Sequence, residues 1–452
     1  MGKKGHELIP SARRLITSLR DLGYDFAAAV ADVVDNSIEA RATRVAIDVR
    51  FDGDDSWVRI TDNGKGMKPA QIREALRFGS NREYDLQESL GKFGLGLKTA
   101  SMSQCRRLSV ASRSSEDRAE IYAHSWDLEH VEKTDKWEIL GVGPDQHPEL
   151  LRDPLLEHTG TIVLWQRLDR ILGFKHPYGE MAKKRLSAMC RELEEHLAMV
   201  FHRFISGEAG RRRVRISVNG NPIKPWDPFA RQEAKTKQLQ PVTLTYDHDG
   251  IRGDILIEPY VLPHQDDFAS PQEHAAAAGP LKWNRQQGFY IYRAHRMIQS
   301  GGWSNLRTLD EHTKLARVAV SFDPRLDAAF NINVAKMRVQ LPSQLRDQFE
   351  RAIGPIIKIA QSTYRRSEGG GRRASAQPAP TGGGRPGAFT DVPEPRAALK
   401  TSAVAQRADS QKASGLWTFD DIRREAERIA TAKERPVVVS VFERLAKEFG
   451  RG

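Results

Sequence analysis

The sequence predicts an α+β chain of two globular units followed by a basic stretch with no core. Three observations predict this. Between Pro10 and Ala40 the apolar residues Leu15, Ile16 and Leu19, then Ala29, Val30, Val33, Val34 and Ile38, recur at helical steps, with Gly23 between the two runs. Next, the apolar-rich stretches Val45 to Phe51 and Trp57 to Thr61 flank the turn Asp52-Gly-Asp-Asp, as a hairpin requires. Finally, 452 residues at roughly 150 per domain make two or three domains.

In chain order, residues Pro69 to Phe78 read as a helix, Gly79 to Ser89 as a polar loop, and Lys98 to Met102 as a helix opening after a glycine-rich turn. Alternating strands then run to about Asp169. A charged helical stretch, Pro177 to Ser206, leads to a second unit beginning near Arg211. Its expected strands are Val242 to Tyr246, Asp254 to Leu262, Gly288 to Tyr292 and Arg317 to Phe322, and its last helix is Gln344 to Arg365. From Arg365 to Lys412 the chain is rich in Gly, Pro, Ala and Ser, with nine Lys/Arg against four Asp/Glu. Such a composition assembles no packed core. The expected division is 1–170, a helical connector 171–210, a second domain 211–365, a flexible basic linker 366–415 and a short helical tail 416–452.

Charge and composition narrow the function classes. Lys plus Arg number 70 against 59 Asp plus Glu, a formal charge of +11 with a pI near 9.6, which favours an acidic partner. The only cysteines are Cys105 and Cys190, and no Cys/His cluster has zinc-ligand spacing, so neither a disulfide framework nor a structural metal is expected. The first residues lack the apolar run of a signal peptide, and no stretch of about 18 apolar residues occurs. The expectation is a cytoplasmic protein without a membrane span.

Three short stretches carry chemistry when taken together: Asp32-Val-Val-Asp-Asn36-Ser-Ile-Glu-Ala, Asp62-Asn-Gly64-Lys-Gly66-Met67, and Gly91-Lys92-Phe93-Gly94-Leu95-Gly96-Leu-Lys98. Alone they read as a solvated helix face, a hairpin turn and a connection. On a helix, however, Asp32 and Asn36 share one face, within an otherwise apolar run where burying them without purpose would be costly. The Asn36 amide oxygen suits a hard cation such as Mg²⁺, and Asp32 can accept a hydrogen bond from a water aimed at phosphorus. Asp62 ends a strand at a turn whose glycines admit a flat ligand, and a buried carboxylate there would accept from the exocyclic amine of adenine. The Gly91 to Gly96 turn opens a helix and offers free N–H groups to phosphates, with Lys92 and Lys98 adding positive charge. It is neither a Walker loop nor a dinucleotide fingerprint.

At these residues the sequence resembles the GHKL superfamily of gyrase-type topoisomerases, ninety-kilodalton heat-shock chaperones, sensor histidine kinases and MutL mismatch-repair proteins. There the first stretch is the N box and the other two are glycine boxes, which together form the Bergerat ATP site on an α/β sandwich. The likeness is greatest to the microrchidia (MORC) ATPases and their bacterial relatives, through Ala31 to Ala40, Leu76-Arg-Phe-Gly-Ser and Gly94 to Met102. His158-Thr-Gly160-Thr161 is similar to the family's later Gly-Thr strand, which implies that Thr161 approaches the phosphates. Val218 to Pro228 and Gly288 to Ile298 look like the family's transducer domain, where a lysine meets the γ-phosphate; here that implies Lys336, in Asn333-Val-Ala-Lys336. The resemblance covers about residues 10 to 350. The family's usual base is glutamate, whereas this chain has Asp32, so slow turnover is expected. Glu39 is no substitute, lying two turns, about 10 Å, further along the helix.

The expected protein is therefore an ATPase using ATP and Mg²⁺. Asp62 selects adenine, Asn36 holds the metal, the glycine turn and Lys98 bind phosphates, Asp32 positions water and Lys336 senses the γ-phosphate. Residues Lys68 to Leu90 have the composition of a lid, and relatives use its closure to dimerise, so a homodimer on ATP binding is expected. The charge balance, Arg211-Arg-Arg-Val-Arg and the linker arginines suggest sequence-nonspecific DNA as partner, and the tail is a candidate contact for a protein. Two alternatives stand beside this: a nucleotide-gated chaperone or interaction module with little hydrolysis, and a histidine-kinase-type phosphotransferase. Against the latter, His196 and His202 read as surface residues. Trp283, Trp303 and Tyr292 read as core rather than base-stacking groups.

Overall fold

The computed structural model describes residues 9–21, 24–79, 96–116, 120–173, 176–210, 213–248, 250–332, 339–370 and 439. Two units are separated, Met1–Ala376 and Gln377–Gly452, and every element below lies in the first. The chain begins with helices α1 (Ala12–Arg20) and α2 (Phe26–Glu39), strands β1 (Arg44–Arg50) and β2 (Trp57–Asp62), and helices α3 (Pro69–Leu76) and α4 (Gly96–Met102). Then come β3 (Arg107–Arg113), β4 (Tyr122–Asp127), α5 (Leu128–Thr134), β5 (Leu140–Gly141), α6 (Pro148–Leu151) and β6 (Gly160–Gln166). The long α7 (Glu180–Val200), α8 (His202–Ser206), β7 (Arg215–Val218) and β8 (Asn221–Pro222) follow. The eight strands form one sheet in the order β5-β4-β3-β6-β2-β1-β7-β8, antiparallel except for the parallel β1–β7 pair.

Helix α2 is the axis of this layer. Asp25 caps it, accepting from the Ala28 N–H at 2.7 Å, and its Ala- and Val-rich run meets no Gly or Pro. It packs against both α4 and α7, which is why nearly every side chain from Ala28 to Ile38 is buried while Asn36 alone in that span is exposed. Each fully buried Val or Ile there contributes about 1.5–3 kcal/mol. On β2 the alternation turns Val58, Ile60 and Asp62 toward the core, so Asp62 is buried by strand geometry.

A second sheet contains β9 (Lys237–Gln238), β10 (Val242–His248), β11 (Ile251–Val261), β12 (Gly288–Arg293), β13 (Arg296–Ser300) and β14 (Ala316–Phe322), with helices α9 (Pro271–Ala277) and α10 (Lys282–Arg285) between β11 and β12. Its order is β10-β11-β14-β12-β13, with β9 beside β11. Helix α11 (Arg346–Gly370) covers β11 and β14, and an aromatic cluster of Phe229, Tyr260, Tyr290 and Tyr292 on the other face meets Met199 of α7. No helix among the described residues is long and apolar enough to cross a membrane.

Several expectations are corrected. Strand β7, expected to open the second unit, pairs with β1 in the first sheet; its short apolar alternation carries no information on which sheet receives it. Helices α5 and α6 interrupt the expected run of strands, because α5 buries only Leu128 and Val131, too few positions to show a period. Strand β13 was not foreseen, and α11 runs on to Gly370, past the expected linker start at 366. His202 is not a surface residue: it is 1% exposed, its Nε2 lies 2.8 Å from the Tyr292 hydroxyl, and burial pushes its pKa down to about 3. Trp303 and Tyr292 are core residues, and Trp283 stacks on His274. The first part of the expected lid is anchored, since Ile72 and Leu76 are fully buried, Trp126 Nε1 donates to the Leu76 carbonyl at 2.9 Å, and Phe78 meets Trp126 and Trp137 edge-on. Residues 80–90 of that lid, the linker beyond Gly370 and the tail apart from Val439 lie outside the described residues.

Candidate active site

Asp32 and Asn36, the turn from Asp62 to Met67 and Gly96 converge at the side of α2 that meets β2 and α4. Asp32 is 4% exposed, and one turn later the exposed Asn36 donates its Nδ2 to the Asp32 carbonyl at 2.9 Å, which leaves the amide oxygen as its acceptor. Gly96, the first residue of α4, abuts the same carboxylate: a Cβ there would sit 3.4 Å from Asp32 Oδ2. The Tyr24 hydroxyl also faces Asp32, and burial, followed by the charge of Asp32, pushes its pKa up.

Asp62 is held by α2 and its own turn. Ser37 Oγ donates to Asp62 Oδ2 at 3.1 Å, and the Gly64 N–H donates to Oδ1 at 2.8 Å. Burial raises its pKa from 3.8 to about 6, against the lowering effect of the Gly64 and Ser37 hydrogen bonds. The turn is seated tightly: the Lys65 N–H donates to the Ala40 carbonyl at 2.9 Å, and a Cβ on Gly64 would lie 2.8 Å from Ala40. Gly66 has φ +65°, and a Cβ there would fall 2.0 Å from the Arg113 carbonyl. Gly66→Ala is therefore expected to destabilise the first domain by about 2 kcal/mol or more, read as a lower Tm by calorimetry.

Hydroxyls connect this turn to β6. Ser112 Oγ donates to the Gly160 carbonyl at 2.7 Å and accepts from the Met67 N–H at 2.9 Å, with Thr161 Oγ1 3.0 Å away. Thr161 pairs with Asp62 across β2 and β6. The structure thus gathers Asp32, Asn36, Asp62, Gly64, Gly66, Met67, Gly96 and Thr161 in one region. Gly91, Lys92, Phe93, Gly94, Leu95 and Lys336 lie outside the described residues.

Lys98 is 2% exposed, and its Nζ donates to the Ala75 carbonyl at 3.1 Å. Desolvation lowers its pKa to about 8. Its ammonium serves the carboxyl end of α3, where carbonyls lack helical partners. Ser37, Ser112 and Tyr24 were not singled out from the sequence; Ser37 follows Asn36 directly, but nothing local marks Ser112.

The donor set fits a magnesium nucleotide. The Asn36 amide oxygen, exposed above Asp32, is the kind of hard oxygen donor that Mg²⁺ takes from protein when phosphates and waters supply its other ligands. The glycine seat, which a Cβ would fill, and a buried acceptor at Asp62 suit a planar base.

The stretch of chain that holds this region is similar to known proteins. Residues 24–156 match the family "Histidine kinase-, DNA gyrase B-, and HSP90-like ATPase". Protein MICRORCHIDIA 5 of Arabidopsis thaliana is 36% identical over 92 residues, 19% of this chain and 13% of that protein. DNA mismatch repair protein MutL of Haemophilus influenzae is 32% identical over 236 residues, 51% of this chain and 33% of its own length. That of Salmonella arizonae is 33% identical over 217 residues, 47% and 31% respectively. The matched segments span about a third or less of these curated relatives.

Proposed function

We propose, for a chain that belongs to the histidine kinase-, DNA gyrase B- and HSP90-like ATPase superfamily through residues 24–156, that it binds and slowly hydrolyses ATP and that nucleotide-driven closure and dimerisation make it a clamp on DNA. The observation that carries the ATPase reading is α2 itself, a buried helix that presents one exposed amide, Asn36, directly above the buried carboxylate of Asp32. Asn36 would hold Mg²⁺, which when bound offsets phosphate charge. Asp62, with its strand partner Thr161 beside it, accepts from the adenine amine, Gly64 and Gly66 admit the base, and Gly96 at the start of α4 borders the phosphates. Asp32 accepts a hydrogen bond from the attacking water and orients it, while Lys98 braces α3.

The DNA reading rests on charge. Of Arg211-Arg-Arg-Val-Arg, Arg213 donates to the Ile205 carbonyl at 2.6 Å and Arg215 is exposed; residues 211–212 lie outside the described ones. On a DNA column the full chain with a nonhydrolysable ATP analogue and Mg²⁺ is expected to be retained regardless of sequence and released as salt rises. Light scattering is expected to show a doubled mass. Retention that ignores salt, or an unchanged mass, overturns the clamp and leaves the ATPase reading intact.

A second reading, a nucleotide-gated interaction module with little hydrolysis, is favoured by the short reach of Asp32. Turnover measured beside calorimetric ATP binding separates the two. A kinase reading finds no support in the two helical histidines, since His202 is enclosed against Tyr292 and burial pushes His196 down to about 4.

A further inference from the structure

The hairpin β12–β13 turns through Ala294 and His295, at φ +45° and +68°, a two-residue bend in which both positions favour Gly or Asn. It is strained, and two buried ion pairs hold it. On one side Arg293 Nε and Nη2 meet Asp327 Oδ1 and Oδ2 at 2.7 and 2.8 Å, within the second domain. On the other, Arg296 leaves that domain: its Nε donates to Asp35 Oδ1 of α2 at 2.8 Å, and its Nη2 lies 3.8 Å from Asp32 Oδ1. All three side chains of this second cluster are at most 6% exposed.

We propose that Arg296 is a positioning residue for Asp32, holding its carboxylate in place, so that the β12–β13 hairpin controls hydrolysis rather than nucleotide binding. This rests on the reading of Asp32 as the group that orients water. The physics is local. Two carboxylates three residues apart on a buried helix face repel each other, and a guanidinium between them offsets that repulsion and fixes where each one points. A fork bonded to Asp35 cannot follow the second domain away from α2 without withdrawing its charge from Asp32. The strained turn fixes Arg296 relative to Arg293, so movement of the second sheet is transmitted instead of absorbed.

The groups facing this cluster are Tyr24, Asp25, Asp32 and Asp35 from the α2 segment and His196 from α7; on α4, Lys98 is bonded to Ala75.

The experiment compares wild type, Arg296→Met, Arg296→Lys, the charge-balanced Arg296→Met/Asp35→Asn and Asp32→Asn in the full chain, with ATP and Mg²⁺. Arg296→Met is expected to keep KM and calorimetric affinity within about threefold and to lower kcat about tenfold. Arg296→Lys is expected to restore most of kcat. If Arg296→Met does not fold, the double variant takes its place with the same split between kcat and KM. A wild-type kcat in folded Arg296 variants, while Asp32→Asn is inactive, overturns the proposal and spares the Asp32 reading. Full turnover in Asp32→Asn removes that reading and the proposal with it.

Discussion

Asp62→Asn is expected to weaken binding of ATP with Mg²⁺ by about ten- to a hundredfold, the worth of a charge-assisted hydrogen bond of about 1.5–3 kcal/mol. The amide would also present a donor where Gly64 N–H and Ser37 hydroxyl now donate to the carboxylate, so the pocket would lose its acceptor and acquire a clash of like groups. The same residue sets a pH dependence. Burial raises its pKa from 3.8 to about 6, and adenine's amine requires the ionised form. Affinity is therefore expected to rise as pH climbs through about 6 and to level off above about 7. Stability of the nucleotide-free chain has the opposite sign. A carboxyl whose folded pKa is raised contributes stability that is complete below 3.8 and is lost as pH rises through about 6. Calorimetric titrations at pH 5, 6, 7 and 8 check the first trend, with proton release on binding near pH 6 as its signature. Flat affinity across that range would remove Asp62 as the adenine acceptor.

What the sequence made legible was local. Apolar steps along α2 and alternation along β2 depend on residues within one or two turns, so the helix, the strand and the inward placement of Asp32 and Asp62 could be read directly. The joining of these motifs followed from resemblance, and the family match over residues 24–156 bears out that superfamily. Long-range pairing was not legible. Nothing in Arg215 to Val218 says that it pairs with β1, and nothing in Met67 or Ser112 says that a backbone N–H of one meets the hydroxyl of the other. The Lys98 ammonium meets the Ala75 carbonyl near the end of α3, a contact that its place beside a glycine turn does not announce. Arg296 reaches across 261 positions to Asp35, and in sequence it is one arginine in a hairpin. The same reason accounts for His202: a histidine on a charged helix looks solvated until the second sheet is laid against it.

Asp32→Asn is expected to lower ATP turnover by about a hundredfold or more, within the usual contribution of a positioned base, while leaving calorimetric binding of ATP and Mg²⁺ close to wild type. The split follows from placement. Asp32 is enclosed among Tyr24, Gly96 and Arg296, whereas Asn36 is the member of the pair that is exposed, so the metal-bearing contact survives the change. Asparagine preserves volume, but an amide beside Arg296 no longer offers that cation a negative partner, and its nitrogen would face the water where an acceptor is required. Asn36→Ala should show the reverse pattern, losing Mg²⁺-dependent affinity first. Glu39→Gln serves as the reference, since a carboxylate two turns along the helix cannot reach the same water, and its turnover is expected within about twofold of wild type. Equal turnover in wild type and Asp32→Asn would mean that Asp32 is not catalytic, whereas turnover near zero in both, with ATP still bound, would place the protein with the modules that bind nucleotide without consuming it.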